Sequence, residues 1–182
     1  KKLESDIAVL SVGVRPETVL AENAGLEIGE TGGIKVDEYL QTSDPYIYAI
    51  GDAVENTDPV FNIKNLIPLA GPANKQARTA ADNIAGKNIR KYKGAIGTAI
   101  NKVFDINIGI CGHSETSLQN NEKIYKTVLT HKGSHAGYYP GAEAMSIKIN
   151  FSPVDGRIYG GQAVGGKGVD KAVELLSFAV EK

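Results

Sequence analysis

Gly51 and Asp52 form the first position in the sequence where the residue types suggest chemistry. They follow the apolar run at residues 46–50, which predicts a strand introduced by the turn-forming residues 43–45. At the carboxyl end of such a strand, a glycine lets a ligand approach the backbone, and ligands of open α/β sheets bind at this edge. The Asp52 carboxylate could accept hydrogen bonds there from the hydroxyl groups of a sugar or a polyol. Taken alone, however, a Gly-Asp pair after a strand favours an ordinary turn.

Tyr138 and Tyr139 form a second candidate site, directly before Pro140 and Gly141. A phenol can donate a hydrogen bond or a proton to a reacting group, and its pKa of about 10 keeps it protonated at neutral pH. The alternative interpretation is a pair of structural tyrosines in an exposed loop. The residue types alone leave both interpretations open.

Cys111 is the only cysteine of the chain, and His113 is two residues away. Two residues along a strand-like stretch do not place an imidazole where it would activate a thiol. We therefore expect Cys111 to be a small buried side chain rather than a nucleophile. A single cysteine also excludes an internal disulfide, which favours a reducing cytoplasm as the location.

Two other motif matches are not supported by their context. Residues 161–168 nearly match the phosphate-binding pattern Gly-x-x-x-x-Gly-Lys-Ser/Thr, but Gly168 has no hydroxyl group to hold magnesium, so a strand-to-helix turn is favoured. His131 and His135 have a spacing that brings two metal ligands together only on a helix, and residues 132–134 predict a turn. We therefore expect no metal site.

The composition excludes several classes of protein. The 182 residues suit one domain or two small ones, and 42% hydrophobic with 23% charged residues is a globular composition. The net charge of -1 provides no basic excess for a nucleic acid partner. No apolar run approaches the roughly 18 residues that a membrane helix needs.

The elements that must position these residues fall into two groups, with a domain boundary predicted at the basic stretch of residues 87–97. Before it, we expect a buried strand at residues 7–14, a short helix from Arg15 to Gly25 and a hairpin-like excursion at residues 26–36. A helix is then predicted over residues 73–85. Its packing face would be a stripe of small and apolar residues: Ala73, Ala77, Ala80, Ala81, Ile84 and Ala85.

After the boundary, the pattern predicts mainly strands. They are expected at residues 99–104, 106–111 and 123–130, followed by a hairpin of residues 145–151 and 157–164 around an Asp-Gly turn. Helices are expected at residues 114–119 and 169–180. The last helix should pack its apolar stripe against the hairpin.

Three motifs in the first group, taken in order, resemble a known family. Residues 6–16 (DIAVLSVGVRP) are similar to a strand leading to Gly-x-Arg-Pro, and residues 42–53 (TSDPYIYAIGDA) are similar to a second flavin motif. Residues 66–74 (LIPLAGPAN) and 78–84 (RTAADNI) resemble the helix that approaches the flavin. The family is that of the FAD-dependent pyridine nucleotide-disulfide oxidoreductases.

The second group narrows the resemblance to one branch. Residues 97–105, 134–141 and 164–171 look like the dimerisation domain of the coenzyme A-disulfide reductases, of which NADH oxidases and peroxidases are close relatives. The implied fold is α+β / α/β. The end of a FAD-binding Rossmann-like domain (residues 1–90) would be followed by an α+β dimerisation domain (residues 94–182) that is truncated at its carboxyl end.

The resemblance assigns roles to individual residues. Gly51 and Asp52 would bind the ribityl chain of FAD, and the backbone around Leu69 and Ala70 would face the pyrimidine end of the flavin. A tyrosine of the 134–141 motif would reach the active site of the partner subunit, and Tyr138 is the better candidate than Tyr139. The chain has neither the family's early redox cysteine nor a Gly-x-Gly-x-x-Gly dinucleotide motif.

The implied protein is a cytoplasmic, homodimeric flavoprotein of which this chain is a carboxy-terminal fragment. It would pass electrons from NAD(P)H to FAD, to a cysteine, and then to coenzyme A disulfide. Two alternatives remain open: a fragment of an NADH oxidase or peroxidase, and a module that is catalytically inert in isolation. Because the cysteine and both dinucleotide motifs are missing, we expect the isolated chain to be inactive, whether or not it retains FAD.

Overall fold

The computed structural model describes residues 2–86 and 88–180. Lys87, at the start of the expected domain boundary, and residues 181–182, at the end of the expected second domain, lie outside the described residues. The helices are α1 (Val19–Asn23), α2 (Ala70–Gly86), α3 (Glu115–Asn120) and α4 (Val169–Val180). The strands are β1 (Asn56–Thr57), β2 (Lys64–Asn65), β3 (Ala99–Val103), β4 (Ile106–Gly112), β5 (Lys126–Gly133), β6 (Ala144–Phe151) and β7 (Ile158–Gly165).

The strands form two antiparallel sheets. Strands β1 and β2 make a small two-stranded sheet, and the other five pair in the order β3-β4-β7-β6-β5. Together with the helices, they confirm the expected mixture of α and β elements. The expected hairpin is the β6–β7 pair, and Gly156 has the positive φ of 76° that its turn requires. Strand β5 lies three residues later than expected.

Helix α4 covers one face of the five-stranded sheet and closes the main hydrophobic core. Val169, Val173, Leu176 and Val180 recur at helical spacing and are all buried. The helix lies close to the sheet because Gly109 has no side chain, and a Cβ there would collide with Val173. The buried members of this core are Cys111, Met145, Ile147, Ala163, Val169, Val173, Leu176 and Val180.

The first part of the chain differs from expectation at both predicted strands. Residues 7–14 form no strand, and Leu10 and Val12 are 88% and 94% exposed. Among residues 2–86 and 88–180, no segment pairs with this run or covers it. An apolar run becomes a buried strand only where a neighbouring strand pairs with its backbone and other elements cover its side chains. Residues 46–50 make a single bridge, between Tyr48 and Gln41, rather than a ladder. The expected hairpin-like excursion is confirmed by the bridge between Ile28 and Ile34.

Helix α2 is confirmed, but its buried face is not the expected stripe. It begins at Ala70 rather than residue 73, and its buried residues are Gln76, Thr79, Ala80 and Asn83. Ile84, an expected packing residue, is 63% exposed. Two of the polar residues are inside because they bind the backbone of neighbouring loops: Gln76 accepts from the amide of Gly51, and Asn83 donates to the carbonyl of Tyr39 and accepts from the amide of Arg90. Hydrogen bonds as well as apolar contacts therefore hold this interior together.

Candidate functional site

The Gly51–Asp52 turn is open and has the backbone conformation of a glycine. The φ of Gly51 is 90°, in the left-handed region where other residues are strained. A Cβ added to Gly51 would meet no atom within 4 Å, so a ligand has free access to the backbone. Asp52 is exposed, and no hydrogen bond of its side chain joins it to the described residues. Its carboxylate is therefore available as an acceptor.

Gln76 holds this turn against helix α2. The amide N–H of Gly51 donates to Oε1 of Gln76 over 2.7 Å. On its other side, Nε2 of Gln76 donates to Oδ1 of Asn56 over 2.9 Å. Gln76 lies in the second turn of α2, about 9 Å along the axis from Ala70 at 1.5 Å per residue. One side chain therefore places the Gly51–Asp52 turn beside the first turns of α2.

The amino end of α2 presents free backbone donors. The first amides of a helix have no partner within it, and the helix dipole makes this end partially positive. Ala70 and Gly71 are exposed there, and the carbonyl of Leu69 accepts from the amide of Ala73. An electron-rich group next to Ala70 and Gly71 would be stabilised. An open polyol-accepting turn beside such a helix end fits the two parts of a flavin, its ribityl chain and its ring.

The two tyrosines lie in a different place, the loop between β5 and β6. Tyr138 and Tyr139 are both exposed, with ring centroids 4.8 Å apart, and the ring of His135 is 6.5 Å from that of Tyr139. In the described part of the chain, no hydrogen bond or ring contact joins them to Gly51 or Asp52. Gln76 thus links the Gly51–Asp52 turn to α2, the helix that begins at Ala70, and none of these contacts involves the tyrosines.

Cys111 is buried in the core under α4, as expected. It is 1% exposed, and burial raises the pKa of its thiol to about 11, although the amide of Gly161 works in the opposite direction. At neutral pH the thiolate is almost absent, and the thiolate is the reactive form. Cys111 is therefore not a nucleophile.

Comparisons with known proteins identify the family. The family model described as pyridine nucleotide-disulphide oxidoreductase matches residues 1–82. A solved structure, that of reduced CoADR-RHD from Bacillus anthracis, is 45% identical, with a TM-score of 0.93, over 98% of this chain and 32% of that chain. Residues 1–82 belong to the pyridine nucleotide-disulphide oxidoreductase family. The resemblance in the three motifs is thereby confirmed, and so is the fold that it implied.

Two curated relatives are similar to nearly all of the chain but are much longer than it. The NAD(P)H sulfur oxidoreductase (CoA-dependent) of Pyrococcus abyssi is 34% identical over 94% of this chain and 39% of its own length. The NADH oxidase of Methanocaldococcus jannaschii is 36% identical over all of this chain and 40% of its own length. The chain thus spans about two fifths of the length of the curated relatives it matches.

The chain also has a second buried polar cluster, which sequence analysis did not find. Nε2 of His113 lies 3.0 Å from Oδ2 of Asp58, off the ideal hydrogen-bond direction, and Nδ1 lies 2.9 Å from Oγ of Ser117. Burial raises the pKa of Asp58, but His113 and the amide of Phe61 together outweigh that effect and hold the pKa below its ordinary value. The cluster joins His113, the residue after β4, to Asp58 in the loop after β1, 55 positions earlier in the chain.

Gln76 was also missed as a site residue. The helical spacing of the apolar stripe predicts that Gln76 lies on the opposite, polar face of α2. A single sequence carries no signal that pairs it with Gly51, 25 residues earlier. Among the described residues, no group of three or more histidine, cysteine or acidic residues is suited to hold a metal ion. In the same residues, no helix combines the length and hydropathy needed to cross a membrane.

Proposed function

We propose that this chain is part of a FAD-dependent oxidoreductase that uses NAD(P)H to reduce coenzyme A disulfide or a related disulfide. The observation that carries the proposal is the Gly51–Asp52 turn held beside the amino end of α2. Family membership supports it, and so does a relative whose name describes a CoA-dependent NAD(P)H sulfur oxidoreductase. The single cysteine and the absence of an internal disulfide favour the cytoplasm.

The turn and the helix would each bind a different part of FAD. When bound, FAD supplies hydride acceptance from NAD(P)H and electron transfer to a thiol–disulfide couple. Asp52 would accept hydrogen bonds from ribityl hydroxyls, and Gly51 would let the chain pass close to the backbone. The backbone around Leu69 and Ala70 would favour negative charge at the pyrimidine edge, at about 0.3–1 kcal/mol for each such interaction.

The redox cysteine belongs elsewhere in the full-length protein. Cys111 is excluded by its burial and by its raised pKa of about 11. The longer curated relatives leave room for a separate cysteine-bearing segment. Residues 7–14 are apolar and exposed, which supports the proposal that another segment of the full-length protein covers them. That segment would complete the flavin-binding unit to which residues 1–90 belong.

Residues 94–182 would form the dimer interface. The sheet face opposite α4 carries Ile106, Ile108, Ile110 and Val164, all of which are exposed. These residues share a face because side chains alternate along paired strands, and Ile108 pairs with Val164. A second copy of the chain would cover this apolar face. In such a dimer, Tyr138 would reach the active site of the partner subunit, with Tyr139 as its neighbour.

A second candidate function is an NADH oxidase or peroxidase. The observation that favours it is the 36% identity to the NADH oxidase of Methanocaldococcus jannaschii over the whole chain. Both candidates use the same flavin site and differ in the final electron acceptor.

The test uses the purified full-length protein. NAD(P)H oxidation is followed without oxygen in the presence of coenzyme A disulfide, and then in air without the disulfide. Consumption that depends on the disulfide supports the reductase, and Tyr138→Phe should then slow it more than the control Tyr139→Phe does. NAD(P)H oxidation that needs only oxygen supports the oxidase and contradicts a catalytic role for Tyr138.

A further inference from the structure

We propose that Gln76 is the positioning residue of the flavin site, because its amide sets the place of the Gly51–Asp52 turn relative to the amino end of α2. The inference rests on the proposed FAD-dependent function and extends it. Gln76 would act through the backbone of Gly51 and would not itself contact the flavin.

The hydrogen bonds of Gln76 leave it one orientation. The N–H of Gly51 can only donate, so the amide oxygen of Gln76 faces it, over 2.7 Å. The amide nitrogen of Gln76 therefore faces Oδ1 of Asn56, over 2.9 Å. Both Gln76 and Asn56 are buried. Bulk water therefore cannot replace either contact if the side chain is removed.

The Gly51–Asp52 turn needs such a contact because its own residues hold it weakly. Glycine loses more conformational freedom on folding than any other residue, and Gly51 packs against nothing on its open side. Apart from Gln76, the turn has the hydrogen bond from the amide of Val54 to the carbonyl of Gly51, 3.2 Å long. The exposed Asp52 carboxylate takes its position from this backbone. A turn released from Gln76 would have to be ordered again each time a flavin binds, which lowers affinity.

The same helix provides a matched control in Asn83. It is buried, lies seven residues after Gln76 on the same face, and binds two backbone segments. Its amide nitrogen donates to the carbonyls of Tyr39 and Arg90, and its oxygen accepts from the amide of Arg90, all over 2.8 Å. None of these contacts involves Gly51 or Asp52. Replacing Asn83 therefore removes comparable buried hydrogen bonds without touching the turn.

The experiment compares Gln76→Met and Asn83→Leu in the full-length protein. FAD is removed, and its dissociation constant on rebinding is measured by the change in flavin fluorescence. Unfolding of the FAD-free proteins by urea is measured in parallel. Gln76→Met should weaken FAD binding on the order of tenfold to a hundredfold, the effect of leaving a buried amide unpaired. Asn83→Leu should lower the urea midpoint and change FAD affinity by less than about threefold.

A third variant, Gln76→Glu, keeps an oxygen acceptor for the N–H of Gly51, and burial favours its neutral carboxyl form, whose O–H can still donate to Oδ1 of Asn56, so it should bind FAD within about fivefold of wild type. It also keeps the inference testable if Gln76→Met does not fold. Equal FAD affinity in Gln76→Met and wild type would overturn the inference, as would equal losses in Gln76→Met and Asn83→Leu, or a loss in Gln76→Glu as large as that in Gln76→Met. Wild-type protein that binds no FAD would instead overturn the proposed function.

Discussion

The two halves of the molecule bury different kinds of side chain. Residues 99–180 enclose a cluster of eight apolar residues between α4 and the sheet. The first half buries apolar residues such as Leu40, Val54 and Ile67 beside many polar ones, which are Thr18, Glu55, Asn56, Asp58, Gln76, Thr79 and Asn83. Apolar burial supplies most of the free energy of folding, whereas a hydrogen bond adds little net energy but fixes direction. The second half is thus built for stability and the first for geometry.

The two halves also differ in where their exposed apolar residues lie. In the first half, whole stretches such as residues 7–14 leave apolar side chains uncovered. In the second half, α4 closes one sheet face, and exposed apolar residues lie on the opposite sheet face (Ile106, Ile108, Ile110 and Val164) and on the outer side of α4 (Leu175 and Phe178). The exposed apolar residues of the second half thus surround a closed core, whereas residues 7–14 pack against no described part of the chain.

The largest effect is expected when the two halves are produced separately. We expect residues 94–182, expressed alone, to unfold in one cooperative transition, because all the buried residues of the main apolar core lie within this segment. Residues 1–90 alone should show no such transition, since they lack a comparable core. Circular dichroism during urea titration measures both. A cooperative transition in residues 1–90 would show that the polar network is sufficient by itself.

The next test compares two leucines of α4. Leu176 is buried against Gly161, and Leu175 is 71% exposed. Leu176→Ala should lower the free energy of unfolding by about 2–5 kcal/mol, the usual effect of opening a cavity in a core. Leu175→Ala, the matched control, should change it by less than about 0.5 kcal/mol. Similar losses at the two positions would mean that α4 does not close the core as described.

A smaller and pH-dependent effect is expected at the contact between the halves. The pKa of Asp58 is lower in the folded protein, so its carboxylate contributes stability above its ordinary pKa of 3.8 and loses that contribution as the pH falls through the folded value. Asp58→Asn should therefore cost about 1–3 kcal/mol at pH 7, and this cost should shrink towards pH 3. Urea denaturation at several pH values measures it, with the exposed Asp6→Asn as control. A cost that does not change with pH would exclude a role for the charge.

The smallest effect is expected on the exposed side of α2. Ile84→Gln should change the free energy of unfolding of residues 1–182 by less than about 0.5 kcal/mol, because Ile84 is largely exposed. Thr79→Val, on the buried side of the same helix, is the comparison. If urea denaturation showed that Ile84→Gln lowers the free energy of unfolding by more than about 1 kcal/mol, the apolar stripe would be the packing face of α2 after all.

Local features of the fold could be predicted from the sequence, whereas features that depend on distant partners could not. Helix α4 and the β6–β7 hairpin follow from side-chain period and from the turn at Gly156, which involve only neighbouring residues. The burial of residues 7–14 depends on whether other strands are present. The position of Gly51 and Asp52 came from the resemblance in their motif. The contacts of Gln76 with Gly51 and of His113 with Asp58 join residues 25 and 55 positions apart, and no pattern in one sequence indicates them.

The burial of Cys111 also gives the molecule a built-in reporter. A thiol reagent reaches this sulfur only when α4 separates from the sheet. The rate at which Cys111 is modified therefore reports how often the core of the second half opens. In a full-length protein with a separate reactive cysteine, the two thiols would be modified on different timescales. A single labelling course would then follow the state of the active site in its early phase and the integrity of the sheet in its late phase.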